Sequence, residues 1–257
     1  MNESRTNFDS ASAIVRDFVL KDSFLKENRE VKIKFLIVGV FCFSASMASA
    51  EPVMNLITIN TADGAGYAKW AENSAATLGE ANGAMAMGLC SPTSGAEVMG
   101  DHYLWSFFDS QKTVWQSDPM NPVVAQEVAK MNVERTVRSW DNWRIVRAAE
   151  SLTDMGYYYN LWVATDDLSG YLEALDSMEE QLLERGFDIT MQVFVGDTGK
   201  TAGKVMISLG STDAGVIGAA MDARAEPWFG KIIGGLQGKR EYLHGFSMVC
   251  RTFYQKS

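Results

Sequence analysis

After residue 50 the order of apolar runs and turn signals occurs twice, and an internal repeat restricts the fold more than composition does. Asn55-Leu56-Ile57-Thr58-Ile59 and Asn160-Leu161-Trp162-Val163-Ala164 are short apolar runs, partly β-branched, as strands are. Turns follow at Thr61-Ala62-Asp63-Gly64 and Thr165-Asp166-Asp167-Leu168-Ser169, then the pairs Gly66-Tyr67 and Gly170-Tyr171. The pattern predicts helices over 67–78 and 171–185. In the second, Leu172, Leu175, Met178, Leu182 and Leu183 recur at three- and four-residue steps and so share one face. Second strands are expected over 84–90 and 188–195, and third strands over 102–108 and 204–209. Asp109-Ser110 and Ser211-Thr212-Asp213 suit helix N-caps, because their side-chain oxygens accept from unpaired backbone N–H groups. Each second helical region carries an acid-Pro pair, Asp118-Pro119 and Glu226-Pro227, where proline breaks or restarts a helix. Closing strands are expected over 143–147 and 246–251.

The order strand, helix, strand, strand, helix, strand therefore occurs twice, at an offset of about 102 to 108 residues. That order is the split ferredoxin-like unit, a four-stranded antiparallel sheet with both helices on one face. The other sheet face needs cover. Apolar candidates for it are Met85, Met87 and Leu89 in one strand and Tyr103, Trp105 and Phe107 in another. Two such faces in one chain can pack together.

This arrangement resembles the dimeric α/β-barrel superfamily, which includes small antibiotic-biosynthesis-type monooxygenases and NIPSNAP-like proteins. The resemblance spans about residues 54–255 and lies in topology and element length. It implies an α+β chain of two tandem ferredoxin-like modules packed as one pseudo-twofold barrel. The modules would cover 51–149 and 157–257, joined by a linker over 150–156. It also implies a ligand pocket between sheet and helices.

Upstream, residues 31–50 read as a cleavable signal peptide. Lys32 and Lys34 precede the uncharged run Phe35 to Phe43, and Ala48-Ser49-Ala50 places small residues before Glu51. A transmembrane anchor would need about 20 mostly apolar residues, and here the apolar run gives way to Ser and Ala after Phe43. The chain is expected outside the cytoplasm, in a periplasm or beyond the cell, with no membrane attachment after cleavage. Residues 1–30 are polar and charged, which is unusual ahead of a signal peptide. They read as an upstream segment from a misplaced start, with Val31 as an alternative initiation site.

Of the 23 Lys/Arg and 32 Asp/Glu, residues 1–50 hold seven and six, leaving 16 and 26 in the rest. That acidic balance repels phosphate backbones and argues against nucleic acid and anionic membranes as partners. Beyond residue 50 there are two cysteines, Cys90 and Cys250. They form a disulfide in an oxidising compartment or stand as two buried thiols. In the resembling barrels both would lie on edge strands, where closure could bring them together.

Chemistry has few candidates. His102 and His244 are the only histidines; each is a catalytic or haem-ligating candidate, or a strand-end histidine without a task. Neither has metal-ligand spacing to other donors, so no metal site is expected. Trp140 and Arg144 share one strand face and could bind an anionic or aromatic ligand, with Trp105 as a further ligand-facing candidate. Each is equally a packing or surface residue. Gly199-Lys200-Thr201 lacks the upstream glycines of a phosphate loop. Three functions follow as expectations. The first is a binding protein holding a small apolar or aromatic ligand in a barrel pocket, without cofactor. The second is an enzyme like the cofactor-independent or haem-related monooxygenases. The third is an assembly module, with homo-oligomers open to it.

N-terminal sequencing of the exported product is expected to begin at Glu51. A product that retains residues 31–50, or any peptide from 1–30, would overturn this processing scheme.

Overall fold

The computed structural model describes residues 50–257. The upstream segment 1–30 and, apart from Ala50, the export segment 31–50 lie outside the described residues. The elements are β1 (Val53–Asn60), α1 (Gly64–Asn82), β2 (Ala86–Ser94), β3 (Asp101–Phe108), α2 (Gln111–Gln116), α3 (Pro122–Ala129), β4 (Thr136–Arg147), β5 (Met155–Ala164), α4 (Leu168–Glu184), β6 (Thr190–Gly196), β7 (Val205–Ser211), α5 (Ala214–Asp222), α6 (Pro227–Gly235) and β8 (Glu241–Gln255).

Matching local chemistry starts the two long helices. Asp63 caps α1 by accepting from the Gly66 N–H, and Asp167 caps α4 by accepting from the Gly170 N–H. A threonine two residues earlier orders each cap: Thr61 Oγ1 accepts from the Asp63 N–H and Thr165 Oγ1 from the Asp167 N–H. Glycine is required at 66 and 170 because a Cβ there would collide with the capping carboxylate. Each arrangement satisfies N–H groups that a helix start leaves unpaired. Tyr67 and Tyr171, next in line, are fully buried. Ser110 and Asp213 cap α2 and α5.

The eight strands of the described residues pair antiparallel into a closed barrel in the order β1-β3-β2-β8-β5-β7-β6-β4, with β4 returning to β1. Strands β1 to β4 run side by side as β4-β1-β3-β2, and β5 to β8 as β8-β5-β7-β6. Two seams join these groups, β2 with β8 and β4 with β6. Closure leaves no strand edge to template aggregation. The closing strands are longer than the pattern predicts, 12 residues in β4 and 15 in β8. Each must pair on both sides, β4 with β1 and β6, and β8 with β5 and β2.

Side chains separate into three apolar clusters. Inside the barrel lie Trp105, Trp143, Phe194, Met206, Phe246 and Met248 with their neighbours. Beneath α1 to α3 lie Ile59, Trp70, Leu78, Leu104 and Phe108, and beneath α4 to α6 lie Leu175, Leu182, Val193, Ile207 and Phe229. Tyr103, Trp105 and Phe107 face the interior, on the side away from the helices. Met87 and Leu89 do not. They pack under the helices, while Ala86 and Cys90 point inward and Met85 is exposed. The alternation in β2 therefore has the opposite phase to the one expected. One residue of phase exchanges the two faces of a strand.

At the β2–β8 seam Cys90 and Cys250 stand directly opposite, with Cα atoms 3.9 Å apart, and form a disulfide. It links positions 160 residues apart, so it removes a large loop from the unfolded ensemble. The pair Cys90→Ala, Cys250→Ala is expected to lower the unfolding free energy by about 2–5 kcal/mol in denaturant titrations. A loss below about 1 kcal/mol would show that the seam holds without it.

Candidate functional site

Helix α1 lies over β2 and crosses the seam onto β8, where Gly79 leaves room for the Tyr254 ring. That position leaves the outer face of β1, β3 and β4 to α2 and α3. These are short, six and eight residues, because residues 117–121 break the helical run. Incomplete cover leaves a cavity of about 640 Å³ between sheet and helices. The corresponding space under α4 to α6 is about 150 Å³. There α5 seats directly on β5 and β7, and Phe229 and Leu236 are buried.

The large cavity is walled by Ile57, Leu104 and Phe108 from the sheet, Tyr67, Trp70 and Leu78 from α1, and Val124 and Val128 from α3. Trp70 ties two of these walls, its Nε1 donating to the Glu127 carbonyl of α3 at 3.0 Å. A short polar chain crosses the sheet wall. Trp140 Nε1 donates to Asn55 Oδ1 at 2.8 Å, and Asn55 Nδ2 donates to Asn142 Oδ1 at 2.6 Å. Thr198 Oγ1 accepts from the Asn142 backbone N–H at 2.8 Å. Tyr67 and Arg135 are the titratable side chains on this lining. Burial pushes the Tyr67 hydroxyl up to about 12, with the Arg135 guanidinium pulling the other way. Pockets of a few hundred Å³, mostly apolar with a few convergent polar groups, are the usual form of small-molecule sites.

The barrel lumen is tighter. Its cavity is about 70 Å³, lined by aromatic rings and by Asn160, Gln192 and Ser208. Ser208 donates to Asn160 Oδ1 at 2.8 Å.

The residues singled out in the sequence fall in separate places. Trp105 lies inside the barrel, its ring 4.8 Å from that of Phe107. Trp140 stands on the outer face at the rim of the large cavity, 53% exposed. Arg144 is also outside, but its Nε donates to Asp197 at 2.9 Å and its other arm faces Glu51, so it is spent on ion pairs. His102 sits on the helix side of β3 against the Gly64 end of α1, its Nδ1 2.8 Å from Ser91 Oγ. His244 is inside the barrel, stacked on Phe246 and edge-on to Trp162. Its Nε2 is buried with no hydrogen-bond partner among the described residues, as are Trp143 Nε1 and Trp162 Nε1 beside it. The two histidines are thus on opposite faces of the sheet and neither lines the large cavity.

Sequence reading missed Asn55, Asn142, Tyr67 and Arg135 as a group. It aligned Asn55 with Asn160, yet Asn55 faces the outer cavity and Asn160 the lumen. The matching cap contacts at Thr61/Thr165 and Asp63/Asp167 stand 104 residues apart, one residue less than the Asn55/Asn160 pairing. Asn55 then corresponds to Tyr159, which also faces its helix layer. The Thr-x-Asp-x-x-Gly-Tyr signature shared by both turns was the available signal.

Haem needs a strong axial donor beside its pocket. Neither histidine reaches the large cavity, and burial holds Tyr67 in its protonated form. The donor set in this cavity does not fit haem. Among the described residues no cluster of His, Cys, Asp and Glu could hold a metal ion.

The sequence matches no family model and no curated protein. Solved structures do resemble it. A candidate monooxygenase from Lactobacillus acidophilus NCFM superimposes with a TM-score of 0.51 at 10% identity, covering 80% of this chain and 96% of that one. An anthrone oxidase-like protein gives 0.49 at 11% identity, with 80% and 93% covered. A dye-decolorizing peroxidase from Bacteroides thetaiotaomicron gives 0.46 at 8%, with 80% and 94% covered. The first likeness is one of fold, an α+β chain built on a closed antiparallel barrel of eight strands.

Burial lowers the His102 pKa, against an opposing pull from Asp101. Protonation then begins in the unfolded chain, near 6.5, before it begins in the folded one. Folding stability is expected to fall as pH drops through about 6.5 toward the folded-state value. His102→Asn should flatten that part of the slope in urea titrations between about pH 7.5 and 5.5. An unchanged slope would overturn the assignment.

Proposed function

We propose that this chain is an exported binding protein that holds a small apolar or aromatic molecule in the helix-side cavity of its first half. The observation that carries this reading is the contrast between the two spaces near the barrel. The lumen has room for little more than water, about 70 Å³, while the helix-side cavity offers about 640 Å³ of mainly apolar lining. Export draws its support from the residue pattern over 31–50 and from the Cys90–Cys250 bond, since disulfides persist in oxidising compartments. We also read the described chain as two copies of one module, on the support of the paired caps and the matching strand orders.

A second reading is an enzyme like the cofactor-independent monooxygenases. It draws on the Trp140–Asn55–Asn142 chain, which would orient a polar substrate group in an apolar wall. Binding without turnover is preferred because the lining offers no general base. A tyrosine pushed up to about 12 holds its proton near neutrality, and a guanidinium has no lone pair to take one.

Native mass spectrometry of the exported product, with solvent-exchanged neutral and charged naphthalene dyes as surrogate ligands, tests the proposal. One retained or added small molecule per chain is expected. Trp140→Ala should weaken dye binding by about tenfold through loss of a stacking face. No dye bound by the folded chain would overturn the reading, and turnover of a bound aromatic under air would replace it with the enzyme.

A further inference from the structure

Resting on the reading that this cavity binds a ligand, we propose that it selects an organic anion: an apolar or aromatic molecule whose single carboxylate, sulfonate or enolate pairs with Arg135. Among the described residues Arg135 is the one charged side chain on the cavity lining. The arginines that follow it in β4 are all committed. Arg138 is held by Asp101 and Glu97, Arg144 by Asp197 and Glu51, and Arg147 by Glu179 and Asp176. Arg135 has no ion-pair or hydrogen-bond partner among the described residues. It is partly buried, in a chain where acidic side chains outnumber basic ones.

Part of the polar wall is paired within itself. The Trp140 N–H is taken by Asn55, and the Asn55 amide by Asn142. Spare donors remain on the Arg135 guanidinium and on the hydroxyl of Tyr67, a residue only 2% exposed overall, which has no side-chain partner among the described residues. The guanidinium field reaches that hydroxyl, since it opposes the upward push of burial. A planar fork of N–H groups matches a carboxylate or sulfonate edge, and such charge-assisted bonds are stronger than neutral ones. The flat apolar walls would hold the rest of the molecule. The acidic surface repels anions at a distance, so the attraction must be local.

Two dyes of one skeleton test this in the full exported chain: anilinonaphthalene sulfonate, an anion, and phenylnaphthylamine, which is neutral. The sulfonate is expected to bind about tenfold more tightly. Arg135→Gln should remove that advantage and leave the neutral dye within about twofold, and Tyr67→Phe should give a smaller loss of the same kind. Ser106→Trp, which fills the cavity from β3, should abolish both. Equal binding of the two dyes, or equal weakening of both by Arg135→Gln, would overturn the anion assignment while leaving the binding reading in place. Binding that survives Ser106→Trp would overturn the location. Failure of both dyes to bind the unaltered chain would overturn the binding reading itself and this inference with it.

Discussion

Backbone hydrogen bonding across the two seams is the constraint on which the rest of this structure depends. A four-stranded ferredoxin-like sheet has two edges and one uncovered apolar face. Pairing β2 with β8 and β4 with β6 removes all four edges at once. It also turns both uncovered faces toward each other, so that Trp105 and Trp143 from one group of strands share a core with Phe194 and Phe246 from the other. The disulfide lies on one seam. On the other side of the molecule, Arg147 of β4 pairs with Glu179 of α4, so each long helix touches a strand of the opposite group.

Closure fixes the barrel, and the helices then decide where a ligand can fit. The lumen of a small barrel is filled by its own side chains, and the aromatic content here fills it well. Space is left outside, under the half whose second helical region consists of the shorter helices α2 and α3. In the other half longer, better seated helices close the corresponding space. One architecture thus gives a filled side and an open side, and the difference lies in the length and seating of the helices rather than in the sheet.

How far the site could be read from the chain depends on the distance over which each signal acts. The N-caps at Ser110 and Asp213 were legible because a cap is a contact across two or three residues, whereas Asp63 and Asp167 read only as turn residues until the structure showed their side chains capping α1 and α4. The inward facing of Tyr103, Trp105 and Phe107 was legible because strand alternation is local. The phase of β2 was not, since Ala86 and Cys90 are turned inward by their partners on β3 and β8. Asn55 was misaligned by one residue, enough to move it from cavity to lumen. Trp140, Arg144 and Trp105 looked alike as candidates, yet only ion pairs with Glu51 and Asp197 show that Arg144 is already engaged.

By itself the sequence determined the order of elements, the caps that start α2 and α5, the proline interruptions and the acidic balance. All of these follow from steric and hydrogen-bonding preferences that act within a turn or two of chain. Only the tertiary structure decided which edges meet, which face of β2 is inward, and that Asn55 and Asn142, 87 residues apart, join in one polar chain beside Trp140. Those outcomes depend on contacts between distant segments, whose register is set by closing the whole barrel and has no local signature.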